Sequence, residues 1–69
     1  MKVTYDASLD VLRILFSDAP IAESDEDKPD AILDYAEDGS LVGIEILDAS
    51  KHVTDPSSVE YSVVGVKPA

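Results

Sequence analysis

Apolar residues in this chain recur at every second position far more often than at helical spacing, so the pattern reads as strands. "KVTY" sets Val3 and Tyr5 on one side, and "VLRILF" sets Leu12, Ile14 and Phe16 on one side with Val11, Arg13 and Leu15 on the other. A four-residue connection, Ala7 to Asp10, pairs the two runs as a hairpin with Tyr5 opposite Leu12 and Val3 opposite Ile14. "AILDYA" and "LVGIEIL" form a second pair around "EDGS". Asp38-Gly39 is the favoured dipeptide of a two-residue type I′ turn. That turn sets Tyr35 opposite Val42, Leu33 opposite Ile44 and Ala31 opposite Ile46, with Asp34 facing Gly43 and Ile32 facing Glu45 on the reverse side.

The alternation accounts for a carboxylate inside an apolar run. Val42, Ile44 and Ile46 share the core face, while Gly43 and Glu45 point away. The second face also carries Val11, Leu15, Ile32, Leu41 and Leu47, so it reads as half covered, with Arg13 the natural cation for Asp34 or Glu45 across neighbouring strands. Gly43 marks either a bulge or the close approach of another backbone. Turn chemistry ranks Gly39→Val as the more costly change than Gly43→Ala, because a β-branched residue is strained at positive φ.

Between the hairpins, "SDAPIAESDEDKPD" reads as a solvated excursion with a short edge strand around Ile21 to Ser24. After Leu47, "DASKHVTDP" predicts a helix of one or two turns, capped by Asp48 or Ser50 and ended near Thr54 by Pro56, with His52 paired to Asp48. "SSVEYSVVGV" alternates Val59, Tyr61 and Val63 against Glu60 and Ser62 and reads as a last strand. The expected fold is mainly β: one domain over residues 1–69, a small antiparallel sheet of four to five strands in two hairpins, and one short helix.

Charge and composition narrow the function. Fifteen Asp and Glu against five Lys and Arg give a net charge of −10, a field that repels phosphate backbones and anionic lipids and so argues against nucleic-acid and membrane partners. The five cations, Lys2, Arg13, Lys28, Lys51 and Lys67, are scattered singly and form no basic footprint. No apolar run approaches the roughly 20 residues that span a bilayer. "MKVTYDASLD" has no signal-peptide core, and no cysteine is present, so the expected location is the cytoplasm. A chain of 69 residues buries only about 60% of its unfolded surface. Disulfides are ruled out and a structural metal nearly so, leaving a homodimer as the expected source of extra stability. The dimer is expected on the Val11–Leu15 and Leu41–Leu47 face or through edge-strand pairing.

Candidate chemistry is thin. Asp25, Glu26, Asp27 and Asp30 suggest calcium, but an EF-hand loop beginning at Asp25 would need glycine where Asp30 stands and a bidentate glutamate where Ala36 stands. Asp48, Ser50 and His52 carry the residue types of a nucleophilic triad, yet all three lie on one short segment, whereas triads converge from separate elements. No catalytic, cofactor-binding or metal-binding residue is assigned, and an enzyme is not expected.

"YDASLDVLRILF" followed by "AILDYAEDGSLVGIEILDASKHV" resembles domain-of-unknown-function family 2283, whose members typically carry a Tyr-Asp-Glu-Asp-Gly turn, then Gly-Ile-Glu-Ile-Leu and Ala-Ser-Lys. The likeness covers most of residues 1–53 and departs at Ala36, where an acidic residue is usual, and at Arg13, where an aromatic is common. It implies that Gly43 to Ser50 is scaffold, and it brings no catalytic residues. Some members are encoded beside small candidate toxins, which implies an antitoxin-like role. Two functions follow: a small acidic binding module for a basic protein partner, or a stand-alone structural or accessory protein whose acidity serves solubility in a high-salt cytoplasm.

Overall fold

The structure, a computed structural model, describes residues 1–66. Five strands, β1 (Lys2–Asp6), β2 (Val11–Leu15), β3 (Glu23–Lys28), β4 (Ala31–Tyr35) and β5 (Leu41–Ile46), precede one short helix, α1 (Ala49–His52). They form a single antiparallel sheet in the order β1-β2-β5-β4-β3. The fold is mainly β, as the alternation predicts. The β1–β2 register holds at every pair, including Tyr5 opposite Leu12 and Val3 opposite Ile14.

The second hairpin agrees except at its tip. Ala31 faces Ile46, Ile32 faces Glu45, Leu33 faces Ile44 and Asp34 faces Gly43, but Tyr35 faces Leu41 rather than Val42. The turn is longer than a type I′ turn by one residue. Gly39 N donates to Ala36 O at 3.0 Å and Ala36 N to Ser40 O at 2.9 Å, so Glu37, Asp38 and Gly39 form a three-residue loop. Only Gly39, φ 86°, is left-handed there, the signature of a type I turn closed by a left-handed glycine. Asp38 stays at negative φ because its carboxylate accepts from Ser40 N at 2.9 Å and from Ser40 Oγ at 2.6 Å. The extra loop residue is absorbed by a bulge at Val42, and the expected register resumes at Gly43.

Two other expectations are corrected. The edge strand runs from Glu23 to Lys28, through the most acidic stretch, rather than around Ile21 to Ser24. It forms because β4 offers an open edge: Glu23 pairs with Tyr35, Ser24 with Asp34, Asp25 with Leu33 and Glu26 with Ile32. Pro29 and Asp30 (φ 69°) make the turn into β4, the φ pattern of a type II turn, and an irregularity between Glu26 and Lys28 takes up the register. The last strand expected over Val59 to Val63 does not form, and Ser58 to Val66 is without regular structure.

The core is small. Val42 and Ala49 are the buried apolar side chains, at 1% and 0% exposure. Every residue of β2 is only half buried.

Candidate functional site

The signature segment after β5 is a clamp that seats α1. Asp48 takes the position before the helix in a left-handed conformation, φ 49°, and its side chain caps nothing. The helix is held instead from the two hairpin ends by aspartates that are themselves left-handed, Asp10 (φ 54°) and Asp30 (φ 69°). Asp10 O accepts from Ala49 N at 2.9 Å, and its carboxylate accepts from Ser50 N at 3.0 Å and Ser50 Oγ at 2.6 Å. Asp30 O accepts from Leu47 N at 2.8 Å, and its carboxylate pairs with His52 Nε2 at 3.0 Å. The helix N-terminus is therefore capped in trans by Asp10, not by Asp48 or Ser50, and His52 pairs with Asp30, not Asp48. Tyr5 adds its hydroxyl, donated to Asp10 Oδ1 at 2.7 Å. The bonds from Ser50 and then Tyr5 hold the Asp10 carboxyl below the usual carboxylate range, and the same contact raises the Tyr5 phenol. Since Ser50 and His52 turn to different carboxylates on opposite hairpins, Asp48, Ser50 and His52 do not converge as a triad.

The second cluster lies on the opposite face. Arg13 on β2 stands directly across from Glu45 on β5. Glu45 faces Ile32, and Asp34, two residues further along β4, faces Gly43, so Asp34 and Glu45 are diagonal neighbours on one face. Asp34 is buried to 1% exposure. Its Oδ1 accepts from Ser24 Oγ at 2.6 Å, while its Oδ2 has no partner among ordinary donors. Desolvation raises the Glu45 carboxyl, the hydrogen bond and negative charge of Asp34 raise it further, and Arg13 opposes with a smaller pull downward. The Glu45 carboxyl is thereby shifted toward its neutral form beside the unpartnered Asp34 oxygen. Arg13 lies in the right place for the pairing expected of it but makes no ion pair within 4 Å among the described residues; the close contact found is the one between His52 Nε2 and the Asp30 carboxylate at 3.0 Å. Arg13 Nε is buried without an acceptor.

Beside this cluster an open cleft of about 500 Å³ is lined by Val11, Arg13, Leu15, Glu45 and Leu47 together with polar residues of β1. Gly43, on β5 two residues before Glu45, is a glycine for a reason the alternation only half revealed. A Cβ there would stand 2.6 Å from Ile14 O and 3.1 Å from a Leu15 methyl, so the glycine answers both to a close backbone and to the neighbouring bulge.

The third feature is β3 itself, a sheet edge on which every residue is exposed. Glu23, Asp25, Glu26 and Asp27 stand against Lys28 alone. Among the described residues no group of three or more His, Cys, Asp or Glu is positioned to hold a metal ion, and no helix is long and apolar enough to cross a membrane.

No curated protein and no solved structure matches the chain. Residues 2–50 match the family model described as protein of unknown function (DUF2283). The match spans all five strands and stops inside α1, just past the two residues, Ala49 and Ser50, that Asp10 grips. With the sheet, the Asp38–Gly39 turn and the Ala49–Ser50 clamp all inside the matched region, the chain belongs to this family of unknown function.

Proposed function

We propose that the protein is a small acidic, non-enzymatic binding module that takes up a basic segment of another protein along β3. The observation that carries this reading is the exposed edge strand with four carboxylates and one lysine. An edge strand offers a row of unpaired backbone donors and acceptors on which an extended segment can form a further strand. The charge of the edge selects a lysine- or arginine-rich segment and repels acidic ones. Sequestering a small basic protein in this way is an antitoxin-like role. The module acts in the cytoplasm as a homodimer, a state favoured by the small core and the half-buried second face.

The test is titration of isotope-labelled protein with a short peptide alternating lysine and valine, and with the same peptide carrying glutamate for lysine. Amide shifts concentrated on Glu23 to Lys28 with the lysine peptide alone support the reading. Shifts on another surface, or equal response to both peptides, overturn it and leave solubility in a salty cytoplasm as the use of the charge. Capture from the native host followed by mass spectrometry then identifies the basic partner.

A further inference from the structure

The chain exposes too much apolar surface in one place. Beyond the region that matches the family, Val59, Tyr61, Val63, Val64 and Val66 are 62%, 72%, 70%, 93% and 97% exposed, yet the segment alternates as a strand does. The molecule exposes 5413 Å² in all, whereas ordinary scaling for 7.4 kDa gives about 4,200 Å². The surplus, roughly 1,200 Å², exceeds the ~800 Å² that each partner buries in a standard interface.

The sheet has two open edges, and charge chooses between them. Glu60 of the arm would run against Glu23, Asp25, Glu26 and Asp27 on β3, but β1 carries only Lys2 and Asp6. The pattern of β1 also fits. Laid antiparallel with Tyr61 beside Val3, the arm puts Val59 beside Tyr5, Glu60 beside Thr4 and Ser62 beside Lys2, so its apolar residues extend the Val3 and Tyr5 face and no carboxylate faces another. Nine residues, Ser58 to Val66, reach about 30 Å when extended, enough to cover the five residues of β1 on a neighbouring molecule. Within its own chain the arm forms no strand on either edge.

We infer that two copies of this chain exchange their Ser58–Val66 arms, each arm adding as a sixth strand to the β1 edge of the other. This deepens the homodimer reading above by naming its contact, and it leaves β3 free for the basic partner. The test uses full-length variants, because substitutions in the exposed arm leave the folded sheet untouched. Sedimentation equilibrium compares the parent chain with Val59→Ser/Tyr61→Ser/Val63→Ser and with Tyr61→Pro/Ser62→Pro, which removes donors within the proposed strand. A dimer in the parent at tens of micromolar, and a dissociation constant raised at least roughly tenfold in both variants, supports arm exchange. The natural absence of cysteine allows a second measurement: mixed Val3→Cys and Tyr61→Cys chains should form a disulfide-linked heterodimer on mild oxidation. A monomeric parent overturns both the exchange and the dimer. A dimer unchanged by the arm variants overturns the exchange alone and moves the contact to the Val11–Leu15 face. A double Val3→Cys/Tyr61→Cys chain that closes on itself as a monomer shows the arm on its own edge and also overturns the exchange.

Discussion

Gly43→Ala should be the most damaging single-methyl change in the sheet. The new Cβ would sit 2.6 Å from Ile14 O, well inside the ~3.5 Å at which carbon contacts become favourable. The obstacle is backbone, so no rotamer change relieves it. Leu15, whose methyl stands at 3.1 Å, blocks retreat along the same face. Strands β2 and β5 must separate locally, which strains the ladder pairs Leu15 with Gly43 and Ile14 with Ile44. Overpacking of this kind costs about 1–3 kcal/mol, and a weakened buried backbone bond adds about 0.5–1.5 kcal/mol. The reduced entropy of the unfolded chain returns about 0.4–1 kcal/mol. The expected net loss is about 2–3 kcal/mol, a large part of the margin of a domain whose total is roughly 3–10 kcal/mol. Gly39→Val is the comparison. Nothing lies within 4 Å of a Cβ at Gly39, and its φ of 86° is the sole objection, costing about 1–2 kcal/mol. The structure therefore reverses the order that turn chemistry alone suggests. Urea unfolding of the two variants at neutral pH decides it: a larger loss for Gly39→Val would show that the β2–β5 contact yields more easily than the geometry implies.

Three further outcomes follow from the clusters described above. Glu45 has a folded-state pKa raised by burial and by Asp34, so its contribution to stability is full below the ordinary glutamate range and is lost as pH rises through the raised value; Glu45→Gln, which places an uncharged amide near Asp34, should equal or exceed the parent at pH 7 and lose that advantage near pH 4, as read from urea midpoints across pH. Asp10→Ala removes the acceptor shared by Tyr5, Ser50 N and Ser50 Oγ and should speed amide exchange through Ser50 to Val53 while leaving the β4–β5 amides slow, whereas Asp10→Asn, which tolerates the left-handed backbone, should retain part of the protection. The dimer should tighten with added salt, since each chain carries −10 and the Debye length falls from about 10 Å at 0.1 M to 3 Å at 1 M; dissociation on adding salt in sedimentation runs would show ion pairs, not apolar arms, as its basis.

What the chain disclosed of itself depended on where side-chain alternation and pairing told the same story. Val3, Tyr5, Leu12 and Ile14 fix one register because a one-residue slip would turn every apolar side chain outward, and the structure keeps that register throughout. At the tip of the second hairpin alternation had no vote. Asp38-Gly39 suits a two-residue turn and equally the second half of a three-residue one, and the contact that decides, Asp38 with Ser40, is a local hydrogen bond with no hydrophobic signature. The bulge at Val42 then hides the difference from the rest of the strand. Asp34 and Glu45 were legible as two carboxylates near Arg13, but the burial of Asp34 and the upward shift of Glu45 depend on packing that only the assembled sheet supplies.

The two misread strands carry the more general lesson, because they fail in opposite directions. "ESDEDK" has poor strand propensity and no alternation, yet it is a strand, while "VEYSVV" has both and is not. The difference is the edge available to each. β3 is delivered by the Pro29-Asp30 turn directly onto the open side of β4, where Ser24 Oγ finds Asp34 at 2.6 Å and the four carboxylates remain in water. The arm follows α1, and neither open edge of its own sheet pairs with it. Strand propensity is in large part the free energy of packing against neighbours, so a sequence that has the propensity and lacks the neighbour retains that free energy unspent. In a chain with two buried apolar side chains among its described residues this reserve is large against the stability of the fold, and the arm exchange proposed above would release it on the edge of a second molecule.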